Sequence, residues 1–184
     1  MRSRVLRRFD WLAPAPEERA LLDACVTAAL SRREALLDDE EDPRFLHPAR
    51  SVLILLDDAE VADAAVLGAA ALVETGEHEL ALPGSVLATL PPAAAALTAA
   101  VPRPNGEPAV LLEALVTASR EQRLIACAER LDVVRHAHLL PAFEPARWLD
   151  EVLEVYLPVA RRTSQRLALR FERWAVAWQR RERS

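Results

Sequence analysis

Apolar residues recur at helical spacing along most of this chain, and the interruptions fall on prolines, glycines and an acidic run. From Pro16 to about Leu37, the residues Leu21, Leu22, Cys25, Val26, Ala29 and Leu30 trace a stripe of 3.6-residue period. Pro16 suits a first helical turn, and Glu17 and Glu18 suit the positive end of the helix. Val52 to Leu56 predicts a short apolar helix. Glu60 to about Thr75, nearly all Ala, Val and Leu, predicts a second. A helix apolar on every side is buried on every side, so this one is expected at the centre of the domain. Leu82-Pro83-Gly84 breaks the chain. Pro91-Pro92 then opens an Ala-rich helix to about Val101, and Pro102 to Pro108 is a turn-rich loop. Ala109 to about Ser119 and Arg120 to about Leu139 read as two more helices. Pro145 to Arg181 is helical in pattern too. As one helix it would be about 55 Å long, against about 40 Å for a compact domain of this size, so a break is placed at Pro158. No window has the alternation of a strand. The expectation is an all-α fold of seven or eight helices.

Composition narrows the class. A chain of 184 residues with 52% hydrophobic and 28% charged residues is globular, and it is long enough to bury a core without staples. It reads as a single domain over 1–184, with a core bundle at 16–160 and a basic C-terminal helix at 161–184. All 23 basic residues are Arg. The net charge of −5 argues against general nucleic-acid affinity. Cys25 and Cys127 lie in apolar helical patterns without metal or redox spacing, which suits buried thiols in a reducing cytosol. The arginines near the N-terminus are followed by Asp10 and prolines, so the start is not read as a signal peptide. The most apolar window, Ala62 to Val73, is too short to span a bilayer. A soluble, cytoplasmic protein with no membrane span is expected.

Polar residues placed inside apolar patterns are the candidates for chemistry. Asp38 to Asp42 is a run of five acids, read as a solvated loop. Glu74, Glu77 and His78 close the buried helix, and spacing of i, i+3 and i+4 would put them on one face. Glu129 interrupts another apolar helix, and His47 precedes Pro48 just before a buried one. Carboxylates at such places are costly unless paired or metal-bound. Singly, each reads as the partner of one of the many arginines. Together, His47, Glu74, His78 and Glu129 have the donor types of a divalent-metal site. The C-terminal helix carries eight Arg from Arg161 onward, interleaved with Leu167, Phe171, Trp174 and Trp178. That pattern suits nucleic acid or a membrane surface, but Trp174 and Trp178 at i, i+4 are better read as docking the helix on the domain or on a partner.

Taken in order, His47-Pro48, Val66 to Leu72, Glu129-Arg130-Leu131 with Val133-Val134-Arg135, and Glu151 to Ala160 resemble the hydrolase domain of RelA/SpoT-type alarmone enzymes, a branch of the HD superfamily. The match runs from His47 to about Arg162. The resemblance implies an HD-domain-like helical bundle and a divalent metal, Mn2+, held by His47, Glu74 and Glu129, with His78 as a possible substitute ligand. It implies Glu77 as the water-activating acid and a guanosine polyphosphate or related nucleotide as substrate, cleaved as a pyrophosphohydrolase would. Arg32 and Arg33 stand where the family has basic residues touching the nucleotide. The departures are as informative. Val73-Glu74 replaces a His-Asp pair, Glu77-His78 replaces Glu-Asp, and Glu129 and Val133 replace an Asp and an Asn. Val73 cannot ligate, and each Asp-to-Glu change moves a carboxylate by about 1.5 Å where constellations tolerate about 0.5 Å. Three readings stay open: an altered metal-dependent phosphohydrolase, a non-catalytic nucleotide- or protein-binding relative of the same fold, and a scaffold self-associating through the C-terminal Trp/Arg helix.

Overall fold

The computed structural model describes residues 1–39, 41–74, 80–104, 107–139 and 145–182. Glu77 and His78 lie outside the described residues. Every regular element among the described residues is helical, with no strand among them. The all-α reading holds.

The helices run α1 (Arg2–Asp10), α2 (Pro16–Leu36), α3 (His47–Asp58), α4 (Ala64–Leu72), α5 (Gly84–Leu87), α6 (Pro92–Ala100), α7 (Pro108–Thr117), α8 (Arg120–His136), α9 (Pro145–Glu151), α10 (Leu157–Thr163) and α11 (Gln165–Glu182). Local chemistry sets several of the boundaries. Pro16 opens α2, where the side chain of Glu18 accepts from the Ala15 N–H at 2.8 Å. Asp63 caps α4, accepting from the Ala65 and Val66 N–H groups at 2.8 and 3.1 Å. Ser119 and Gln122 form a reciprocal box at the start of α8.

Helix α4 sits at the centre, packed on α2, α3, α6 and α8. All of its residues but Ala65 are buried. It is shorter than the pattern suggests. Asp63 starts it, and the backbone turns extended at Val73. Glu74 therefore lies beyond the helix, while Glu77 and His78, the other members of the expected helical face, lie outside the described residues. Gly68 lets α2 and α6 approach α4: a methyl there would meet Cys25 Sγ at 2.9 Å, and Ala94 Cβ and Leu21 Cδ2 at 3.2 Å.

Two further expectations change. Residues 2–10, read only as a charged N-terminus, form α1, because Val5, Leu6 and Phe9 at i, i+1 and i+4 give it a buried face. Pro158 does not break the C-terminal segment. The chain widens into a π-helical turn over Val152–Tyr156, with the Leu157 N–H bonded to the Val152 carbonyl. The wide turn accommodates the proline, which lacks an N–H for the ladder and crowds the carbonyl one turn back. The break comes at Ser164, in extended conformation.

Helix α11 docks on the domain. Leu167, Phe171, Ala175 and Trp178 are buried, and the Trp174 indole N–H donates to the Val134 carbonyl at 3.0 Å. Phe171 stacks on Tyr156 with centroids 6.2 Å apart, and Trp174 on Trp178 at 5.7 Å. Arg166 and Arg170 reach Glu60 and Asp58 at 2.6 and 2.7 Å, tying α11 to the α3–α4 connection. Among the described residues, no helix is long and apolar enough to cross a membrane.

The close approach at Gly68 gives a stability prediction. Gly68→Ala gains helix propensity of about 1 kcal/mol but overpacks a contact costing about 1–3 kcal/mol, so a net loss is expected in urea denaturation. Cys25→Ala removes the sulfur it meets, and the double variant should lose less than the two single losses added together. A stabilised Gly68→Ala protein would contradict this packing.

Candidate functional site

A cavity of about 150 Å³ opens where α2, α3, α8 and α9 converge with the segments flanking α3 and α4. Each element brings a charged or aromatic side chain. Arg33 comes from α2, Arg44 from the approach to α3, and His47 and Arg50 from the first turn of α3, three residues apart on one face. Glu74 and Leu80 follow α4; Arg130, Asp132, Val133 and His136 come from α8, and Trp148 from α9. His47 and Pro48 start α3 together, which fixes the imidazole at a helix end pressed against α8.

Asp132 is the hub. One carboxylate oxygen pairs with His47 Nδ1 at 2.8 Å. The Arg50 guanidinium grips both oxygens, at 2.8 and 3.0 Å, and also donates to the Pro43 carbonyl. His136, one turn on, donates from Nδ1 to the Asp132 main-chain carbonyl at 2.8 Å; a carbonyl only accepts, so that nitrogen carries the hydrogen. Burial disfavours the Asp132 carboxylate, but His47 and Arg50 outweigh it and hold its pKa below the ordinary value. For His47, burial works against the charged ring, yet Asp132 first, then Glu129 and Glu74, raise its pKa above the usual 6.5. Burial lowers that of His136.

Two more buried pairs flank this hub. Arg33 on α2 binds Glu74 through Nη2, with both side chains almost wholly buried. The Arg130 guanidinium carbon stands 5.1 Å from the ring centroids of both Trp148 and Tyr156, with Glu151 at 3.3 Å from Nη2. Burial opposes its charge, but Tyr156, Glu129 and Glu151 raise its pKa and the guanidinium stays protonated. Among the described residues, three buried nitrogens near the cavity have no hydrogen-bond partner: His47 Nε2, Arg33 Nη1 and Arg130 Nε. A buried donor left in that condition costs about 1–3 kcal/mol, more when charged.

The residues proposed from sequence are thus only partly assembled. His47, Glu74 and Arg33 line one cavity. Glu129 is buried behind it, within electrostatic reach of His47 and Arg130 but not in the lining. Arg32 is not in the lining either. Glu77 and His78 lie outside the described residues. Asp132, Arg50, Arg130 and His136 are the members that sequence reasoning passed over. Asp132 and His136 at i, i+4, and His47 and Arg50 at i, i+3, were the signals available. Among the described residues, no three His, Cys, Asp or Glu side chains are placed to hold an ion, and Glu74 is paired with Arg33. His47 bonds Asp132 through Nδ1, the orientation in which a metal-bound His leaves Nε2 for the ion. Neither a scan against protein-family models nor a search of curated proteins returned a match for this chain.

The hub gives a pH-dependent prediction. Asp132 has a folded pKa below its unfolded 3.8, so its contribution is present above that value and is lost as pH falls through the folded one. His47 has a raised folded pKa, so its contribution is complete below 6.5 and is lost as pH rises through the folded value. Removing one partner of a buried pair costs about 3–5 kcal/mol. Asp132→Asn should approach that loss near pH 6 in chemical denaturation, and the gap to the unaltered protein should narrow toward pH 3 and toward pH 9. A gap independent of pH would mean that the hub is not ionic.

Proposed function

We propose that this chain is a non-catalytic nucleotide-binding protein, a divergent relative of the HD-domain alarmone hydrolases in which arginine ion pairs stand in the place of the metal. The observation that carries this reading is the buried Arg33–Glu74 pair. Glu74 is the carboxylate that the resemblance assigns to the metal, and Arg33 is one of the basic residues it assigns to the nucleotide. Their pairing gives the carboxylate a permanent cation from the protein itself. The cavity beside it is lined by four arginines against two carboxylates, with Trp148 at its edge. Each of these arginines also meets a carboxylate, Glu74, Asp42, Asp132 or Glu151, and guanidinium groups beside an indole ring are group types that bind phosphates and bases.

A Mn2+-dependent pyrophosphohydrolase acting on guanosine tetraphosphate is the second reading. It is favoured by one observation: among the described residues, Nε2 of buried His47 has no hydrogen-bond partner.

Calorimetry with guanosine tetraphosphate, with and without Mn2+, separates the two. The expected result is metal-independent binding with a Kd below about 1 mM, some 4 kcal/mol, and no release of pyrophosphate. Mn2+-dependent pyrophosphate release that disappears in His47→Ala would replace the first reading by the second. Neither binding nor release would sink both.

A further inference from the structure

We propose that the groove running over α1, α3 and α8 binds a short stretch of single-stranded nucleic acid. Arg4, Arg7 and Arg135 meet its phosphates, and a base stacks on Trp11. The inference goes beyond the nucleotide reading and does not depend on it. The groove and the cavity beside Arg33 share only Arg50, Asp132 and His136 in their linings.

Two hollows make the groove. One, of about 450 Å³, lies between α1 and α3 and ends at Trp11. The other, of about 250 Å³, continues from α1 and α3 to α8 and α11. Both are lined by Arg4, Leu53 and Asp57, so they join at Arg4. Arg4, Arg7 and Trp11 stand at i, i+3 and i+7, and Trp11 keeps helical backbone angles at the end of α1. That spacing sets the three on one helical face, with about 10 Å between the first and the last. Val5, Leu6 and Phe9 bury the other face in the bundle.

The charges of this groove are not used up within the protein. Its carboxylates are each matched: Asp57 by Arg8 at 2.5 Å, Asp58 by Arg170 at 2.7 Å and Asp132 by Arg50 at 2.8 Å. Arg4, Arg7 and Arg135 are exposed, and none of them has an ion pair among the described residues. Three accessible cations are left over. The chain's net charge of −5 does not cancel them, because salt screens charges beyond about 8 Å at physiological strength and the groove answers to its own lining.

Trp11 decides the kind of polyanion. Its side chain is 81% exposed, with the Arg8 guanidinium carbon 5.4 Å from the ring centroid. An open indole beside a row of arginines supplies both halves of single-strand recognition, a platform for a base and cations for the backbone. An acidic peptide would use the arginines and leave the indole idle. A lipid surface needs an apolar helix face to insert, and that of α1 is already buried.

The test is fluorescence anisotropy of a short labelled oligouridylate titrated with the full chain at several salt concentrations. The expected Kd is on the order of 10 μM at low salt, and log K should fall against log salt with a slope of about −2, or about −0.7 for each of three phosphates. Arg4→Ala and Arg135→Ala should each make that slope shallower by about 0.7. Trp11→Ala should weaken binding about tenfold. All three side chains are exposed, so these changes leave no cavity in the core. Absence of binding at low salt overturns the proposal, and so does binding that Trp11→Ala leaves unchanged. An oligoglutamate that competes as strongly as the oligouridylate also overturns it and assigns the groove to an acidic protein segment. Capture by phosphatidylserine vesicles without oligonucleotide binding would assign it to a membrane surface instead.

Discussion

The structure depends on the burial of a charged cluster inside a bundle that is otherwise aliphatic. Arg33, Arg130, Glu74, Glu129 and Asp132 are all nearly inaccessible, and His47 joins them. Taking an isolated ion out of water costs several kcal/mol, so none of these side chains is tolerable alone. Each is placed only because a partner from a distant part of the chain is held against it: Arg33 meets Glu74 across 41 residues, and His47 meets Asp132 across 85. The helices that carry them must dock in one arrangement, because any other leaves a charge buried and unpaired. That requirement selects the geometry of α2, α3 and α8 more sharply than their aliphatic faces could.

The aliphatic part supplies the stability against which that cost is set. Helix α4 has small side chains at Gly68, Ala69, Ala70 and Ala71, so neighbouring helices come close. The chain turns extended immediately after it, and that turn carries Glu74 out of the helix and toward Arg33. The shortness of α4 and the ionic identity of the site are one fact. Similarly, the π-helical turn ahead of Pro158 places Tyr156 under Arg130 and against Phe171 of α11. The docked C-terminal helix thus supports one wall of the cavity indirectly, through stacked rings.

Much of the secondary structure was legible in the chain. Pro16 and Pro92 open helices where the pattern placed them, because a fixed φ and a missing N–H suit a first turn, whereas the cap at Asp63 starts its helix later than the Glu60 that the apolar pattern suggested. The central position of the Ala/Val/Leu helix followed from an apolar surface that has nowhere to go but inward. The docking of Trp174 and Trp178 followed from their i, i+4 spacing. The pattern was silent about α1, where three apolar residues lie among arginines and the helix gains its worth only from the surface it covers. It overrated Pro158, because a proline excludes an ordinary turn but not a wide one.

For the site, the sequence by itself determined the residue types and the helices that carry them: a His at a helix start, a Glu after a buried helix, arginines and acids in α8. It did not determine who pairs with whom. Asp132, not Glu129, holds His47, because rotation of α8 against α3 decides which of two carboxylates three residues apart faces the imidazole. Arg33 answers Glu74 for the same kind of reason, set by how α2 crosses α4. Backbone preferences reach a few residues along the chain, whereas the partner of a buried charge is chosen across tens of residues by packing. That choice belongs to the tertiary structure.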